Sequence, residues 1–254
     1  MIDTEMPIDI SIPLRFNGPQ PNAYSTESAS SQACESGMMV GDTRRGGSVN
    51  FERVSLIPHC NGTHTECIGH ISNDRVSVLD CLQDVLMRAT LVSAKPERSS
   101  DGDNVITREA LNEALTPRVA FEPKDACLPT ALIVRTLPND ESKLGRIYNA
   151  ELIPPYFMSQ AIELIVECGF KHLLVDMPSI DRIFDQGKLV NHRLFWNVEP
   201  GSHQINSASR VNSTITELIY VPNEIEDGEY LLNLQIAPFA SDASPSRPVL
   251  FSVK

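Results

Sequence analysis

The sequence has few basic residues, no long apolar run and a single tryptophan. Its 21 lysines and arginines are outnumbered by 33 aspartates and glutamates, which gives a formal net charge of -12. This balance argues against a nucleic-acid partner, because phosphate binding needs clustered positive charge. It also argues against docking on an anionic membrane. No stretch approaches the roughly 20 apolar residues of a membrane span, so we expect neither nucleic acid nor membrane as a partner.

Cysteines are present without the spacing of a disulfide framework, and a chain of 254 residues can bury a core large enough to fold without one. We therefore expect free thiols, as in a reducing cytoplasm. The opening MIDTEMPIDISIPL is acidic and lacks the basic start of a secretory signal, so a cytoplasmic protein is predicted. The six cysteines are Cys34, Cys60, Cys67, Cys81, Cys127 and Cys168.

Two continuous apolar runs separated by a helix-like segment give the clearest structural pattern. ALIVRTL (131–137) and HLLVDMPSID (172–181) are typical of strands buried on both faces. Between them, PPYFMSQAIELIVECGF begins with proline and ends at Gly169, the asymmetry of a helix of about a dozen residues. Residues 131–177 therefore predict a right-handed βαβ unit with parallel strands.

Further strands flank this unit. Alternation of apolar and polar residues predicts strands at IDISIPL and at 49–60, and three more at ELIYVP, EYLLNLQIAPF and RPVLFSV. Residues 106–115 have helical spacing with Thr107 as a candidate N-cap. Residues 97–104 predict a polar turn, and residues 17–36 a long irregular segment. Together these patterns predict one strand-rich, mixed α/β domain over residues 1–254.

Residues 59–70, HCNGTHTECIGH, contain half of the six histidines together with a glutamate and two cysteines. In extended chain, residues two apart share a face, so His59 and Cys67 would point away from the even-numbered members unless Gly62 breaks the register. A thiolate, an imidazole and a carboxylate together suit Zn²⁺ better than Mg²⁺ or Ca²⁺. The even-numbered members are Cys60, His64, Glu66 and His70.

The competing interpretation is that these histidines are ordinary hydrogen-bonded core residues. Three histidines within twelve residues make that reading less attractive than a metal-binding or catalytic role. A zinc finger is disfavoured, because no second Cys/His pair follows at the required spacing.

The spacing Gly62-Thr63-His64-x-Glu66-x-x-x-His70 resembles the H-x-G-T-H-x-D-x-P-x-H motif of the bacterial kynurenine formamidase and cyclase family. DISIPL resembles the opening strand of that family, and VDMPSID its I-D-x-P-S-V-D stretch. NHRLFWN, TITELIYV and APFASDASPSRPVLF resemble its His-Arg-Leu segment, its L-E-N-L segment and its closing G-x-D-G-S-P-x-R hairpin. The chain is identified as a divergent member of this family over nearly its whole length.

The resemblance implies a strand-rich α/β fold of the swivelling β/β/α type, which holds one or two divalent metals and hydrolyses amide, imide or lactone-like carbonyls. Zinc is the expected metal, with manganese as the alternative. His70 would be the general acid/base, since its ordinary pKa suits proton transfer at neutral pH. The implied ligands are Cys60, His64 and Glu66 for the first metal, and Glu66, His192 and Glu217 for the second, with Glu66 bridging.

Several departures from the family pattern bear on this assignment. The family's first histidine is replaced by Cys60, with His59 beside it, so either residue can be the first ligand; the face alternation favours Cys60. The family's bridging aspartate is the longer Glu66, and Ile68 replaces the proline before the last histidine. The segment between His192 and Glu217 is also longer than usual. A single metal, or a substrate other than N-formylkynurenine, becomes an open alternative.

The substrate is not specified by these motifs. Trp196, Phe195 and Tyr24 are candidate pocket aromatics for an aryl or indole-derived small molecule, although core packing is the alternative for each. A formamidase, a lactonase, a cyclic-imide hydrolase and a cyclase all remain open, and so does a non-catalytic relative that binds a metal or a small ligand. The resemblance further implies a homodimer or homotetramer, with residues 17–48 as the candidate segment that crosses to a neighbouring subunit.

Overall fold

The computed structural model describes residues 2–116 and 130–253. The strands are β1 (Ile8–Asp9), β2 (Ser30–Ala33), β3 (Glu35–Ser36), β4 (Met39–Val40), β5 (Glu52–Ser55), β6 (His64–Glu66), β7 (Leu86–Ala94), β8 (Glu97–Arg98), β9 (Asn104–Ile106), β10 (Thr130–Thr136), β11 (Tyr156–Phe157), β12 (His172–Val175), β13 (Thr214–Glu217), β14 (Gly228–Ile236) and β15 (Ala243–Ser252). The helices are α1 (Val78–Cys81), α2 (Arg108–Leu115), α3 (Ser159–Glu167) and α4 (Val190–Trp196), with 3-10 turns at Thr43–Arg45, Ile68–His70 and Glu141–Gly145.

A closed, barrel-like sheet forms the centre of the described fold. Its order is β15-β14-β7-β10-β12-β13-β6, and β6 closes the ring by pairing with β15 as well as with β13. β1 attaches to β15 as an eighth strand. The contacts among β7, β10, β12 and β13 are parallel, and the remaining neighbours are antiparallel. The prediction of a strand-rich, mixed α/β fold is confirmed.

The predicted βαβ unit is present as β10, α3 and β12. β10 and β12 are parallel, with Ala131 opposite His172 and Val134 opposite Val175. The helix is shorter than predicted: residues 156 and 157 form β11, and α3 begins only at Ser159. At its other end, Gly169 has a φ of +79°, the left-handed conformation in which glycine carries no steric penalty.

The two faces of the sheet enter separate apolar clusters. Val92 of β7 and Leu132 of β10 pack with α2 and α3 in the larger cluster, which also contains Phe195 and Trp196. Leu91, Ile133 and Leu174 point to the other face, where they pack with residues of β14 and β15. Burial of both faces explains why the sequence of β10 is a continuous apolar run.

Several predicted element bounds need correction. The strand predicted at ELIYVP lies earlier, because β13 ends at Glu217 and Leu218 has a φ of +55°. The predicted N-terminal strand is reduced to β1 and an isolated bridge at Ser11. Residues 49–60 contain only β5, which is followed by a turn, and the predicted turn 97–104 is flanked by β8 and β9.

Two other predictions can be followed in the described residues. Thr107 is the N-cap of α2, and its hydroxyl accepts a hydrogen bond from the amide of Ala110 at 3.1 Å. Five cysteines carry free thiols, while Cys127 lies outside the described residues. Within those same residues, no helix combines the length and the apolar character needed to cross a bilayer.

Candidate metal centre

The strand β6 places two of the predicted ligands beside downstream strands. His64 lies opposite Glu217 of β13 in the antiparallel register, and Glu66 lies opposite Ile215 of β13 and Ala243 of β15. Both His64 and Glu66 are fully buried. Gly62, which precedes the strand, has a φ of +84°, so a residue with a Cβ would be strained in this turn.

A cavity of about 470 Å³ opens next to β6. It lies between the N-terminal half of the chain and the segment that leads into α4, and it includes most of the predicted site. His64 lies behind its wall. The lining contains Tyr24, His59, Cys60, Glu66, His70, Pro178, Ser179, Arg182, Phe184, Asp185, Gln186, Gly187, Leu189, His192 and Glu217. The structure therefore brings together residues separated by more than a hundred positions.

The Glu66 carboxylate lies at the centre of the site. Its Oε1 is 3.0 Å from Nε2 of His192, and its Oε2 is 2.9 Å from Nδ1 of His59. His70 Nε2 lies 4.0 Å from the same Oε2. Each carboxylate oxygen thus faces an imidazole nitrogen, and a buried carboxylate is tolerated only when it is paired in this way or bound to a metal.

His192 is held from behind by a carboxylate that the sequence analysis did not single out. Asp181 Oδ2 lies 2.6 Å from Nδ1 of His192, and both oxygens of Asp181 also accept backbone amides of α4, from Asn191 and His192. A carboxylate behind a histidine fixes the orientation of the ring, which is how metal-ligating histidines are commonly held.

His64 and Glu217 lie side by side, with Glu217 in the cavity lining and His64 behind it. Nδ1 of His64 lies 3.1 Å from the carbonyl oxygen of Gly62, and its Nε2 is 3.6 Å from Oε2 of Glu217. The other oxygen of Glu217 accepts the amide of Ile180 at 3.0 Å and is 3.7 Å from His192 Nε2. This geometry leaves both carboxylate oxygens directed towards histidines of the site.

One buried atom of this cluster, Nε2 of His64, has no hydrogen-bond partner. Unpartnered buried polar atoms are rare in folded proteins, and a bound ion is one of the standard explanations. His59, His64 and Glu66 each offer a ligand atom, and these atoms lie within 4.8 Å of one another; the same is true of Glu66, His70 and His192. Imidazole and carboxylate ligands suit Zn²⁺ and Mn²⁺, so the residues present fit a divalent metal.

A third carboxylate, Asp242, enters from the turn between β14 and β15. Its Oδ2 lies 2.8 Å from Nε2 of His59 and 3.6 Å from Nδ1 of His70, and the rings of those histidines stack with centroids 4.2 Å apart. The backbone carbonyl of Asp242 accepts the amide of Cys67, which fastens the turn to the end of β6.

The face alternation predicted for residues 59–70 is wrong for His59. The amides of Cys60 and Asn61 both donate to the carbonyl of Ile57, at 2.9 and 3.0 Å, so the chain is turning here rather than extended. His59 consequently reaches Glu66. Cys67 does point away, into a small cluster with Val78 and Cys81. Cys60 is buried in the cavity wall, but the described residues contain no group of three potential ligand atoms within 4.8 Å that includes it.

The charges of the cluster reinforce one another. Burial alone raises the pKa of Glu66, but the adjacent His70 and His192 hold it well below its usual range. Burial alone lowers the pKa of His59, yet hydrogen bonds to Asp242 and Glu66 raise it to about 10. Hydrogen bonds from His59 and His70 hold the pKa of Asp242 well below its usual range. The site is thus a set of anionic carboxylates that favours positive charge.

The candidate pocket aromatics occupy different positions. Tyr24 lines the cavity, its ring meets Phe184 edge-on at 5.9 Å, and burial together with the charge of Glu217 raises the pKa of its phenol. Phe195 and Trp196 are fully buried in the larger apolar cluster, where Trp196 lies behind His192 with ring centroids 5.5 Å apart. That placement gives both residues a packing role, and their contact with substrate stays a prediction.

The backbone around the cavity adopts several left-handed conformations at residues other than glycine. Tyr24 and Phe184 have φ values of +61° and +63°, and Leu189 and Leu218, which adjoin α4 and Glu217, have values of +46° and +55°. Such conformations cost about 1–2 kcal/mol each and persist only where the surroundings enforce them. Their concentration around one cavity indicates that side-chain placement there outweighs local backbone preference.

Three comparisons with known proteins identify the relatives of this chain. The family model described as "Putative cyclase" matches residues 8–182, more than half of the chain. The chain is 26% identical over 249 residues to a kynurenine formamidase of Bacillus cereus, and the aligned residues make up 96% of each sequence.

Among solved structures, the fold is similar to that of isatin hydrolase A from Labrenzia aggregata, with a TM-score of 0.63, 13% identity and coverage of 98% and 94% of the two chains. It is also similar to a protein described as a predicted metal-dependent hydrolase from Bacillus stearothermophilus, with a TM-score of 0.61, 15% identity and coverage of 97% and 98%.

Proposed function

Because the chain belongs to the cyclase family, we propose that it is a metal-dependent hydrolase of an amide, cyclic amide, imide or lactone bond in a small molecule. A single aryl formamide or cyclic aryl amide fits the cavity of about 470 Å³. Zinc is the proposed metal, with one or two ions, and manganese is the alternative. The related kynurenine formamidases and isatin hydrolases support carbon–nitrogen bond hydrolysis as the reaction.

The observation that carries this proposal is the buried Nε2 of His64, which has no hydrogen-bond partner and lies within 4.8 Å of ligand atoms of His59 and Glu66. The residues proposed to hold metal are His64, Glu66, His192 and Glu217, with a further ligand from Cys60 or His59. When bound, the metal supplies a water that is acidic enough to attack at neutral pH and polarises the substrate carbonyl.

The protein's own residues would orient the substrate and move protons. His70 is partly accessible from the cavity, and its Nε2 lies near Glu66 without needing to be a ligand. It can accept a proton from the attacking water and donate it to the leaving nitrogen or oxygen. Tyr24, kept protonated by burial and by the Glu217 charge, offers a phenolic hydrogen to a polar group of the substrate.

The test pairs elemental analysis of the purified protein with a panel of N-formyl aryl amides, cyclic aryl amides, cyclic imides and lactones. We expect bound metal and turnover of at least one class. Replacing His70 with Asn should leave metal content unchanged and lower kcat by about 100-fold or more. The matched control is His203→Asn, the same change at an exposed histidine outside this cluster, which should retain activity.

Other results would reject parts of this proposal. Equal turnover by His70→Asn removes His70 from proton transfer. Metal bound without hydrolysis of any panel member favours the alternative, a non-catalytic relative that binds metal or a small ligand. The substrate panel also decides between a formamidase and a lactonase or cyclic-amide hydrolase.

We further propose a homodimer or homotetramer located in the cytoplasm, with residues 17–48 at a subunit contact. The support is that this segment is largely irregular and contributes Tyr24 to the cavity wall. Light scattering after size exclusion tests the assembly, and a monomeric mass at micromolar concentration would reject it.

A further inference from the structure

We propose that His59, rather than Cys60, supplies the imidazole that completes the metal centre, and that Asp242 is the positioning residue that holds it. The inference deepens the proposed function and depends on it for the presence of a metal. It assigns a ligand that the family motif does not predict, since the motif position is occupied by Cys60.

His59 lies closer than Cys60 to the other proposed ligands. His59 Nδ1 lies 2.9 Å from Oε2 of Glu66. The ring of His59 also meets that of His64 edge-on, with centroids 5.4 Å apart. These three residues form a group with ligand atoms within 4.8 Å of one another, and across residues 2–116 and 130–253 no such group contains Cys60.

The two ring nitrogens of His59 face different carboxylates. Nε2 lies 2.8 Å from Oδ2 of Asp242, so it carries the hydrogen and donates it to that carboxylate. Nδ1 faces the Glu66 oxygen, and a metal ion that binds this nitrogen would replace the proton that lies between the two atoms in the metal-free site. Two acceptors 2.9 Å apart repel unless a proton or a metal ion lies with them, so this geometry favours a cation.

His59 and His192 are arranged alike around Glu66. His192 places one nitrogen 3.0 Å from Oε1 of Glu66 and the other 2.6 Å from Asp181. His59 does the same with Oε2 of Glu66 and Asp242. Each histidine is thus oriented from behind by an aspartate, the arrangement in which a carboxylate fixes a metal-ligating imidazole.

The local course of the chain also directs His59 towards the site. The amides of Cys60 and Asn61 both donate to Ile57, and Asn61 Oδ1 accepts the Ile57 amide at 2.7 Å, which closes a compact turn. This turn directs His59 towards Glu66, while the thiol of Cys60 lies beside Thr26 and Glu217. A one-residue shift of the ligand therefore follows from the turn, with no rearrangement of β6.

Cobalt substitution tests the assignment without reference to turnover. A thiolate bound to Co²⁺ gives an intense sulfur-to-metal charge-transfer band in the near ultraviolet, whereas nitrogen and oxygen ligands do not. We expect the purified protein loaded with Co²⁺ to lack that band, and Cys60→Ser to bind Co²⁺ within about threefold of the unmodified protein.

The same titration applied to His59→Ala should show a loss of affinity of at least tenfold, and Asp242→Asn should lose affinity by about 10-fold. The matched control for Asp242→Asn is Asp74→Asn, at an exposed position, with unchanged affinity expected. Circular dichroism of the metal-free variants establishes that each has folded.

A charge-transfer band that disappears in Cys60→Ser would overturn the assignment to His59 while leaving a metal-dependent hydrolase intact. Unchanged affinity in a folded His59→Ala variant would overturn it equally. Failure of the unmodified protein to bind Co²⁺, Zn²⁺ or Mn²⁺ would instead reject the proposed function itself, and with it this assignment. The two proposals therefore fail on different observations.

Discussion

At the residue scale, the site depends on two aspartates, Asp181 and Asp242, which lie behind its histidines. Asp181 accepts hydrogen bonds from the ring and the backbone amide of His192 and from the amide of Asn191, so it fixes both the imidazole and the start of α4. Asp242 has the corresponding position behind His59. The charge of these groups, and not only their shape, keeps each histidine in the tautomer that can bind metal.

Replacing Asp181 with Asn should therefore weaken metal binding by about 10- to 100-fold, because the amide retains the size but loses the charge that holds His192. Isothermal titration of the metal-free protein with Zn²⁺ measures this change. Unchanged affinity in the folded variant would show that His192 is oriented by other contacts.

A second residue-scale prediction concerns the buried His172 of β12. Burial, and then the charge of Lys171, lower its pKa to about 4, against 6.5 in the unfolded chain. Above pH 6.5 the ring is neutral in both states. Between pH 6.5 and 4 the unfolded chain takes up a proton that the folded protein excludes, so stability falls by roughly 3 kcal/mol as the pH is lowered, and this loss ends below pH 4.

Denaturant unfolding of the protein and of a His172→Gln variant at several pH values measures this effect. The unfolding free energy of the unmodified protein minus that of the variant should decrease as the pH falls from 6.5 to 4, since the variant lacks the titrating ring. Parallel curves would contradict the prediction.

The sequence predicts the chemistry of these residues better than their arrangement. Spacing within residues 59–70 is enough to select Glu66 and His64, and the family resemblance adds His192 and Glu217; the structure gathers all four around one cavity wall. Asp181 and Asp242 could not be selected, because a carboxylate behind a histidine is recognisable only once distant segments meet. The clearest available indication was their presence within the matched stretches VDMPSID and SDASPSR.

At the element scale, short segments are placed by what they pair with rather than by their own propensity. The apolar run around ELIYVP continues past Glu217, yet β13 ends there. Leu218 takes a left-handed conformation, and its amide donates a hydrogen bond to the carbonyl oxygen of Met177. By contrast, β10 is recognisable from sequence because both of its faces are buried. The local residue pattern therefore predicts a strand correctly where both of its faces are buried, and predicts the end of a strand wrongly next to the site.

The 3-10 turn Ile68–His70 provides a prediction at this scale. A Cβ at Gly69 would lie 2.2 Å from the carbonyl oxygen of Val76 and 3.1 Å from Cβ of Asp242. Gly69→Ala must therefore displace backbone, and we expect a loss of about 1–3 kcal/mol in unfolding free energy together with weaker metal binding.

The matched control is Gly228→Ala at the start of β14, where a Cβ meets nothing within 4 Å. Its unfolding free energy should change by less than about 0.5 kcal/mol. Equal stability of the two variants in denaturant titrations would refute the steric argument.

At the scale of the whole molecule, the sheet closes through β6, which pairs with both β13 and β15. No local pattern in residues 64–66 identifies those partners, because the pairing joins strands far apart in sequence. The strand order could therefore not be derived from the sequence, although the fold class could. Residue patterns predicted the mixed α/β class, the resemblance added the swivelling β/β/α type, and the register came only from the structure.

Since the proposed ligands His64 and Glu66 lie on β6, Glu217 on β13 and His192 on α4, a bound metal would link two strands of the closed sheet to a helix. Removal of metal with a chelator should lower the melting temperature, because a ligand present at 100 times its Kd stabilises the folded state by about 2.7 kcal/mol. Thermal unfolding with and without added Zn²⁺ measures the shift. Glu66→Gln should show almost no metal-dependent shift, and an equal shift in that variant would exclude Glu66 as a ligand.

The pairing of β6 with β13 and β15 also imposes an order on biosynthesis. Residues 64–66 emerge from the ribosome long before either partner strand, so the nascent chain contains the histidine-rich segment before the strands that bury it. The complete surroundings of the candidate metal centre can therefore form only after β13 and β15 have emerged. A translation product arrested before β15 would expose these imidazoles to any metal in its surroundings.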